Sequence, residues 1–301
     1  MNLAPTVLLK SGSLEATFLP AAGMLCASFR DRGVELLRRL ENLEAAKASG
    51  STAGIPLLYP WANRLASLRY SAAGREVVLN RASTELHFDE NGLAIHGVPW
   101  GQLGWEVVEA KKESLLARLD WNLPELLAVF PFPHSLELSS DLTPNALTLS
   151  LTVVANGGSS VPISFGFHPY FGIADVPRSE WRVEMPRMQL LALDFRGIPT
   201  GPGEEFDRFD APLGTRHFNN GFAVEGERPT FAVSGAGRRI AVTFLEGFPY
   251  AQVFAPKDKE FISFEPMTAP TNALVTGNGL RAIASGETFR ASFRIDIHSI
   301  A

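Results

Sequence analysis

The chain has 301 residues, 46% of them hydrophobic and 20% charged, the balance of a globular protein that buries its own core. A formal net charge of −5, with no cluster of Lys and Arg, argues against a nucleic-acid partner. The single cysteine, Cys26, cannot close an internal disulfide, and no run of about eighteen apolar residues predicts a membrane span.

Taken in chain order, Met1-Asn2-Leu3-Ala4-Pro5 lacks the basic start and apolar run of a signal peptide, so a cytoplasmic setting is expected. Glu35 to Ala48 reads as a helix, with Leu36, Leu40 and Leu43 on one face and Gly50 as its stop. The stretch from Gly54 to Leu65 carries Pro56 and Pro60, which predict a rigid irregular loop delivering Asn63 and Arg64. Next comes His96, between Ile95 and Gly97 and followed by Trp100 and Trp105. From Leu115 onward the period is two. Leu115, Ala117, Leu119 and Trp121 alternate with polar residues, as do Leu147, Leu149, Leu151 and Val153, and later Ala291, Phe293, Ile295 and Ile297. Turn signals such as Asn156-Gly157-Gly158 and Gly235-Ala236-Gly237 separate these runs. Many short strands with no βαβ rhythm, repeat or linker predict an all-β fold: one large antiparallel sandwich or barrel over residues 1–301.

Two strand-like segments carry the chemistry. Ile163, Phe165 and Phe167 share a face, leaving Ser164, Gly166 and His168 opposite; Ile262 and Phe264 share a face, leaving Ser263 and Glu265 opposite. Each segment therefore anchors itself by aromatic burial and presents one titratable group among small neighbours that leave room for a ligand. Pro169 and Pro266, directly after those groups, are expected to end the ladders there. A histidine and a carboxylate so displayed are the parts of a general acid–base pair. The donors of Arg64 and the amide of Asn63 suit a polyhydroxylated ligand. No Gly-x-Ser-x-Gly elbow, zinc-ligand spacing or βαβ-embedded glycine fingerprint points to hydrolase, metal or dinucleotide chemistry.

Gly54-Ile55-Pro56, Pro60, Asn63-Arg64, His96-Gly97, His168-Pro169-Tyr170-Phe171, Ile198-Pro199-Thr200-Gly201 and Glu265-Pro266 followed by Ala269 and Asn272-Ala273-Leu274 stand in a characteristic order. In that order and spacing the chain resembles the aldose 1-epimerases (mutarotases), from about residue 12 to its end. The resemblance implies a galactose mutarotase-like β-sandwich (a supersandwich) with few short helices, and a monosaccharide as the partner. It implies that His168 protonates the ring oxygen while Glu265 removes the anomeric proton, with no metal, nucleotide or other cofactor. Arg64 and His96 would hydrogen-bond the sugar, with Asn63 and Gln252 lining the same groove. Asn219 stands where many galactose-type members carry an aspartate, which leaves the choice of aldose open. Related hexose-6-phosphate epimerases carry an arginine before the Gly-Ile-Pro segment, where this chain has Ser51-Thr52-Ala53. A free aldose is therefore expected, ahead of a phosphosugar or a non-catalytic carbohydrate sensor, in a monomer or homodimer. The ordinary pKa values, about 6.5 for His and about 4.3 for Glu, already populate an imidazolium–carboxylate pair between them.

Overall fold

The computed structural model describes residues 6–49 and 51–300, and strands dominate it. A nine-stranded antiparallel sheet runs in the order Glu106–Ala110, Ser114–Trp121, His134–Leu142, Ala146–Val154, Thr288–Ser299, Arg238–Glu246, Thr230–Gly235, Arg182–Met185 and Phe209–Pro212. The period-two segments found in the sequence supply three of its strands, Ser114–Trp121, Ala146–Val154 and Thr288–Ser299, the last pairing with Ala146–Val154 from the far end of the chain. A seven-stranded sheet runs Pro199–Phe206, Met188–Leu193, Phe218–Val224, Tyr250–Ala255, Ser263–Met267, Gly166–Phe167 and Leu57–Leu58. A four-stranded sheet covers residues 7–35 at the N-terminus. The fold is the all-β, antiparallel sandwich that the sequence predicts.

Aromatic side chains join the two large sheets. Phe167 meets Phe293 at 5.1 Å between ring centroids, Phe264 meets Phe231 at 5.5 Å, and Phe165 meets Phe289 at 6.1 Å. All six rings are buried, so the apolar faces of both chemistry-bearing segments point into this core. Burying one such ring contributes roughly 1.5–3 kcal/mol, and the anchoring holds each segment's opposite face toward the far side of its sheet. Phe264→Ala is expected to cost about 3–5 kcal/mol in a denaturant-unfolding measurement. A cost under about 1 kcal/mol would show that the anchor is dispensable.

Three local expectations are corrected. The helix predicted over 35–48 shrinks to Leu43–Ser49, where the Asn42 side chain accepts the Ala45 N–H at 3.0 Å as an N-cap. Glu35 lies instead in the Val34–Glu35 strand; its carboxylate takes the Phe29 N–H at 2.9 Å and the Ser28 hydroxyl at 2.5 Å. Leu37 bridges Phe171, so both Leu36 and Leu37 are buried, which a one-sided helix would not allow. The predicted stop, Gly50, lies outside the described residues.

Pro266 does not end its ladder, whereas Gly166–Phe167 stops short of Pro169 as expected. Ser263–Met267 runs through Pro266, with Met267 paired to Tyr250 on one side and Gly166 on the other. Past Pro169, the Tyr170 N–H still donates to Gly54 O at 2.9 Å. Each proline needs only one ladder bond fewer, and its neighbours keep theirs. Gly166 is small for packing and leaves no ligand space. A Cβ there would lie 2.8 Å from Pro266 O and 3.1 Å from the Ala62 Cβ.

His134 sits behind the Leu57–Leu58 strand, taking the Tyr59 hydroxyl on Nε2 at 2.6 Å and donating Nδ1–H to Phe132 O at 2.5 Å. Burial pushes its pKa down to about 4. A histidine depressed in the folded state contributes full stability above its unfolded value near 6.5. That stability is lost as pH falls toward the folded value. Thermal melts are therefore expected to drop between pH 7 and pH 4.5, and His134→Gln should flatten that slope.

Candidate active site

Glu265 stands in the middle of Ser263–Met267, directly across the ladder from Gln252 on Tyr250–Ala255. His168 follows Gly166–Phe167 on the other side of the same strand, and its N–H is fixed to Pro56 O at 3.1 Å. The topology thus places two residues 97 positions apart in sequence (168 to 265) on neighbouring strands. Their side chains meet, with His168 Nε2 and Glu265 Oε1 3.2 Å apart. Tyr170 stacks on the imidazole at 4.1 Å and 8° between planes, and Phe254 meets it edge-on at 6.0 Å. The Tyr170 hydroxyl is itself bonded to Thr52 Oγ1.

His96 approaches from the loop side, its ring 6.0 Å from His168 and nearly perpendicular to it. Both Asn63 and His96 hold left-handed backbone, φ 56° and 62°. The two loops lock reciprocally. Asn63 O accepts the His96 N–H at 2.9 Å, and His96 Nδ1 accepts the Asn63 N–H at 3.1 Å. With Nδ1 an acceptor, the proton of the neutral ring resides on Nε2, which is left as a donor. Burial first, then the charge of Arg64, pushes the His96 pKa down to about 3, so the ring stays neutral. Gly97 is required here: at φ 69°, a Cβ would lie 2.2 Å from Tyr59 O.

Arg64 Nε donates to Asp89 Oδ2 at 2.5 Å, and Asp89 Oδ1 accepts the N–H groups of Asn91 and Leu93 at 2.9 Å each. Burial opposes charge on Asp89, but the Arg64 bond and those backbone donors outweigh it and hold the carboxyl below its ordinary value. Across the groove, Gln252 Nε2 donates to Asn219 Oδ1 at 2.9 Å. The structure therefore gathers His168, Glu265, His96, Arg64, Gln252 and Asn219 around one locus. Asn63 is the exception. Its amide turns to the Met267 sulfur at 3.2 Å, so its backbone, through His96, is what reaches the site. Sequence reasoning missed Asp89, whose only signal is its place at the head of the Asp89-Glu90-Asn91-Gly92 turn.

Burial shifts both groups away from the expected imidazolium–carboxylate form. Burial pushes His168 well below its ordinary 6.5, and burial pushes Glu265 well above its ordinary 4.5, with Arg64 opposing the latter. A pair that shares one titratable proton carries no net charge, which the low-dielectric interior favours. Neutral imidazole with carboxylic acid, and imidazolium with carboxylate, are two placements of that proton. Neither changes the net charge of the site. Among the described residues, His168 Nδ1 and Glu265 Oε2 have no hydrogen-bond partner, the kind of orphaned polar atom that functional sites retain.

The chain matches the profile of the family described as aldose 1-epimerase over residues 5–296. It belongs to the aldose 1-epimerase family. Among curated relatives, the uncharacterized protein YphB of Escherichia coli (strain K12) is 28% identical, the alignment covering 96% of this chain and 98% of that one. The uncharacterized protein YihR of the same strain is 23% identical over 96% of this chain and 92% of its own. Among solved structures, a putative aldose 1-epimerase from E. coli K12 superposes with TM-score 0.79 at 22% identity, covering 98% of this chain and 99% of that one. A galactose 1-epimerase from Lactobacillus acidophilus NCFM superposes with TM-score 0.78 at 15% identity, covering 97% and 93%. At such identities these structures show a common fold. No helix among the described residues of this family member is long and apolar enough to cross a membrane.

Proposed function

We propose that this aldose 1-epimerase family member interconverts the α and β anomers of a free aldose by acid–base catalysis at His168 and Glu265. The observation that carries the reading is the 3.2 Å approach of His168 Nε2 to Glu265 Oε1, both side chains buried, with the rings of Tyr170 and Phe254 against the imidazole. The two oxygens of a hemiacetal share one carbon, so the groups serving them must themselves be neighbours. Glu265 takes the proton of the anomeric hydroxyl as C1 and O1 form a carbonyl. The electrons of the breaking C1–O5 bond pass to O5, which takes the proton from His168 Nε2. Rotation about C1–C2 and the reverse transfers give the other anomer.

The shared proton suits this cycle. Closed sugar requires imidazolium with carboxylate, and open aldehyde leaves imidazole with carboxylic acid, the two placements already described. Each positioned transfer contributes roughly 10²–10⁴-fold. Arg64, the Nε2–H of neutral His96 and the Gln252–Asn219 amide pair supply donors for the remaining hydroxyls. The sequence carries no cation at Ser51, Thr52 or Ala53, which favours a free aldose, although the Arg38 guanidinium donates to Thr52 O at 3.1 Å.

Optical rotation of freshly dissolved α-glucose, α-galactose and other common aldoses, followed with catalytic protein, tests the proposal. Faster decay than buffer with at least one is expected; no acceleration with any would overturn it. Asp89→Asn removes the charge that aims Arg64, a hydrogen bond worth about 1.5–3 kcal/mol. Initial rates should show KM raised about tenfold, with kcat within a few-fold. An unchanged KM would remove Arg64 from substrate binding.

A further inference from the structure

Arg38 grips the ring that stacks on the candidate catalytic imidazole. The buried Leu36 and Leu37 pin the chain just before it, while Arg38 itself is exposed. Its N–H donates to Tyr170 O at 2.9 Å, and its carbonyl accepts the Gly54 N–H at 2.8 Å. The guanidinium carbon lies 5.9 Å from the ring centroid of Tyr170 and 5.4 Å from that of Phe261, within reach of a cation–aromatic attraction. Arg38 Nη1 donates to Thr52 O at 3.1 Å, and Thr52 Oγ1 bonds the Tyr170 hydroxyl. Tyr170 is thus held at its backbone, over its ring and, through Thr52, at its hydroxyl.

The charge of Arg38 also reaches further than Tyr170. That ring lies 4.1 Å from His168 and 5.9 Å from the guanidinium carbon, so the cation and the imidazole are no more than about 10 Å apart. Over that distance, about one Debye length at 0.1 M salt, charges still interact. The adjacent Arg39 pairs with Glu35 at 4.0 Å, whereas Arg38 has no carboxylate partner among the described residues to cancel its field. Burial and then His96 push the His168 pKa down, and Arg38 adds to them. The other groups about the imidazole are Glu265 at 3.2 Å, the neutral His96 ring at 6.0 Å, Tyr170, and Arg64, which acts on Glu265 and His96 and is bonded to Asp89. The Arg64 side chain is 15% exposed, so Arg38 is the cation of this set that salt screens best.

We infer that Arg38 is a positioning residue acting through Tyr170: it holds the aromatic plate against His168, and its uncancelled charge keeps the imidazolium a strong proton donor. The inference rests on His168 as the acid of the proposed epimerase reaction. A more acidic imidazolium passes its proton to O5 more readily, and the ring resists a second proton until lower pH.

The experiment compares wild type, Arg38→Met and Arg38→Lys by polarimetric pH–rate profiles and by NMR titration of histidine-labelled protein, with the His168 signal assigned by its loss in His168→Asn. Methionine keeps an apolar stem without charge; lysine keeps the charge. In Arg38→Met the acid limb and the His168 titration should both move up by about 0.3–1 pH unit, the effect of one charge at about 10 Å near a protein surface. The gap should shrink as salt rises from about 0.02 M to about 0.5 M, and Arg38→Lys should stay within about 0.2 pH unit of wild type. Limb and titration equal in wild type and Arg38→Met wherever both are folded would overturn the inference. So would a shift as large in Arg38→Lys, or one that salt leaves unchanged. The NMR arm needs no turnover: it judges Arg38 even if wild type accelerates no aldose, the result that overturns the epimerase reading.

Discussion

Glu265→Gln is expected to lower kcat/KM for anomer interconversion by about 10²–10⁴-fold while leaving the fold intact. The change keeps the shape of a side chain that is 1% exposed and paired across the ladder to Gln252. It removes the carboxylate assigned to take the anomeric proton, because an amide oxygen is far too weak a base. It also removes a carboxyl whose pKa burial has raised well above 4.5. Such a group contributes stability below its unfolded pKa and loses it as pH rises through the folded value. At pH 8 the glutamine variant should therefore melt at or above the wild-type temperature. Retained activity, or a large drop in melting temperature, would place the carboxylate's role in structure.

His168→Asn should cost a similar 10²–10⁴-fold, with a different pH signature. In the wild type the productive state holds one proton on the pair. Activity should form a plateau, falling on the acid side as a second proton reaches His168 and on the alkaline side as the shared proton leaves. The depressed His168 value places the acid limb below 6.5, and the raised Glu265 value places the alkaline limb above 4.5. These limbs belong to the pair, not to either residue. Removing the histidine should erase the acid limb. If His168→Asn kept it, the group titrating there would lie elsewhere.

Much of this was legible in the sequence because strands write their two faces into alternate positions. Phe165 and Phe167 against His168, and Phe264 against Glu265, told which side each segment turns to the inter-sheet core, though the opposite faces are buried as well. The helix over 35–42 was misread because Leu36, Leu40 and Leu43 have helical spacing, while the Glu35 carboxylate and the Leu37–Phe171 bridge decide the outcome through distant partners. Asp89 was not legible, since its role depends on a partner 25 residues earlier in the chain. Gly166 looked like room for a ligand and proved to be room for Met267 and Ala62. The pKa values were read from exposed groups, and burial pushes His168 down and Glu265 up from them.

The decisive measurement is the initial rate of optical-rotation change of an accepted aldose with wild type, Glu265→Gln, His168→Asn and the double variant. If the two side chains move one proton around one hemiacetal as a unit, the double variant should be no slower than the slower single one. Losses that multiply in the double variant would mean two independent contributions, and the shared-proton mechanism would be contradicted.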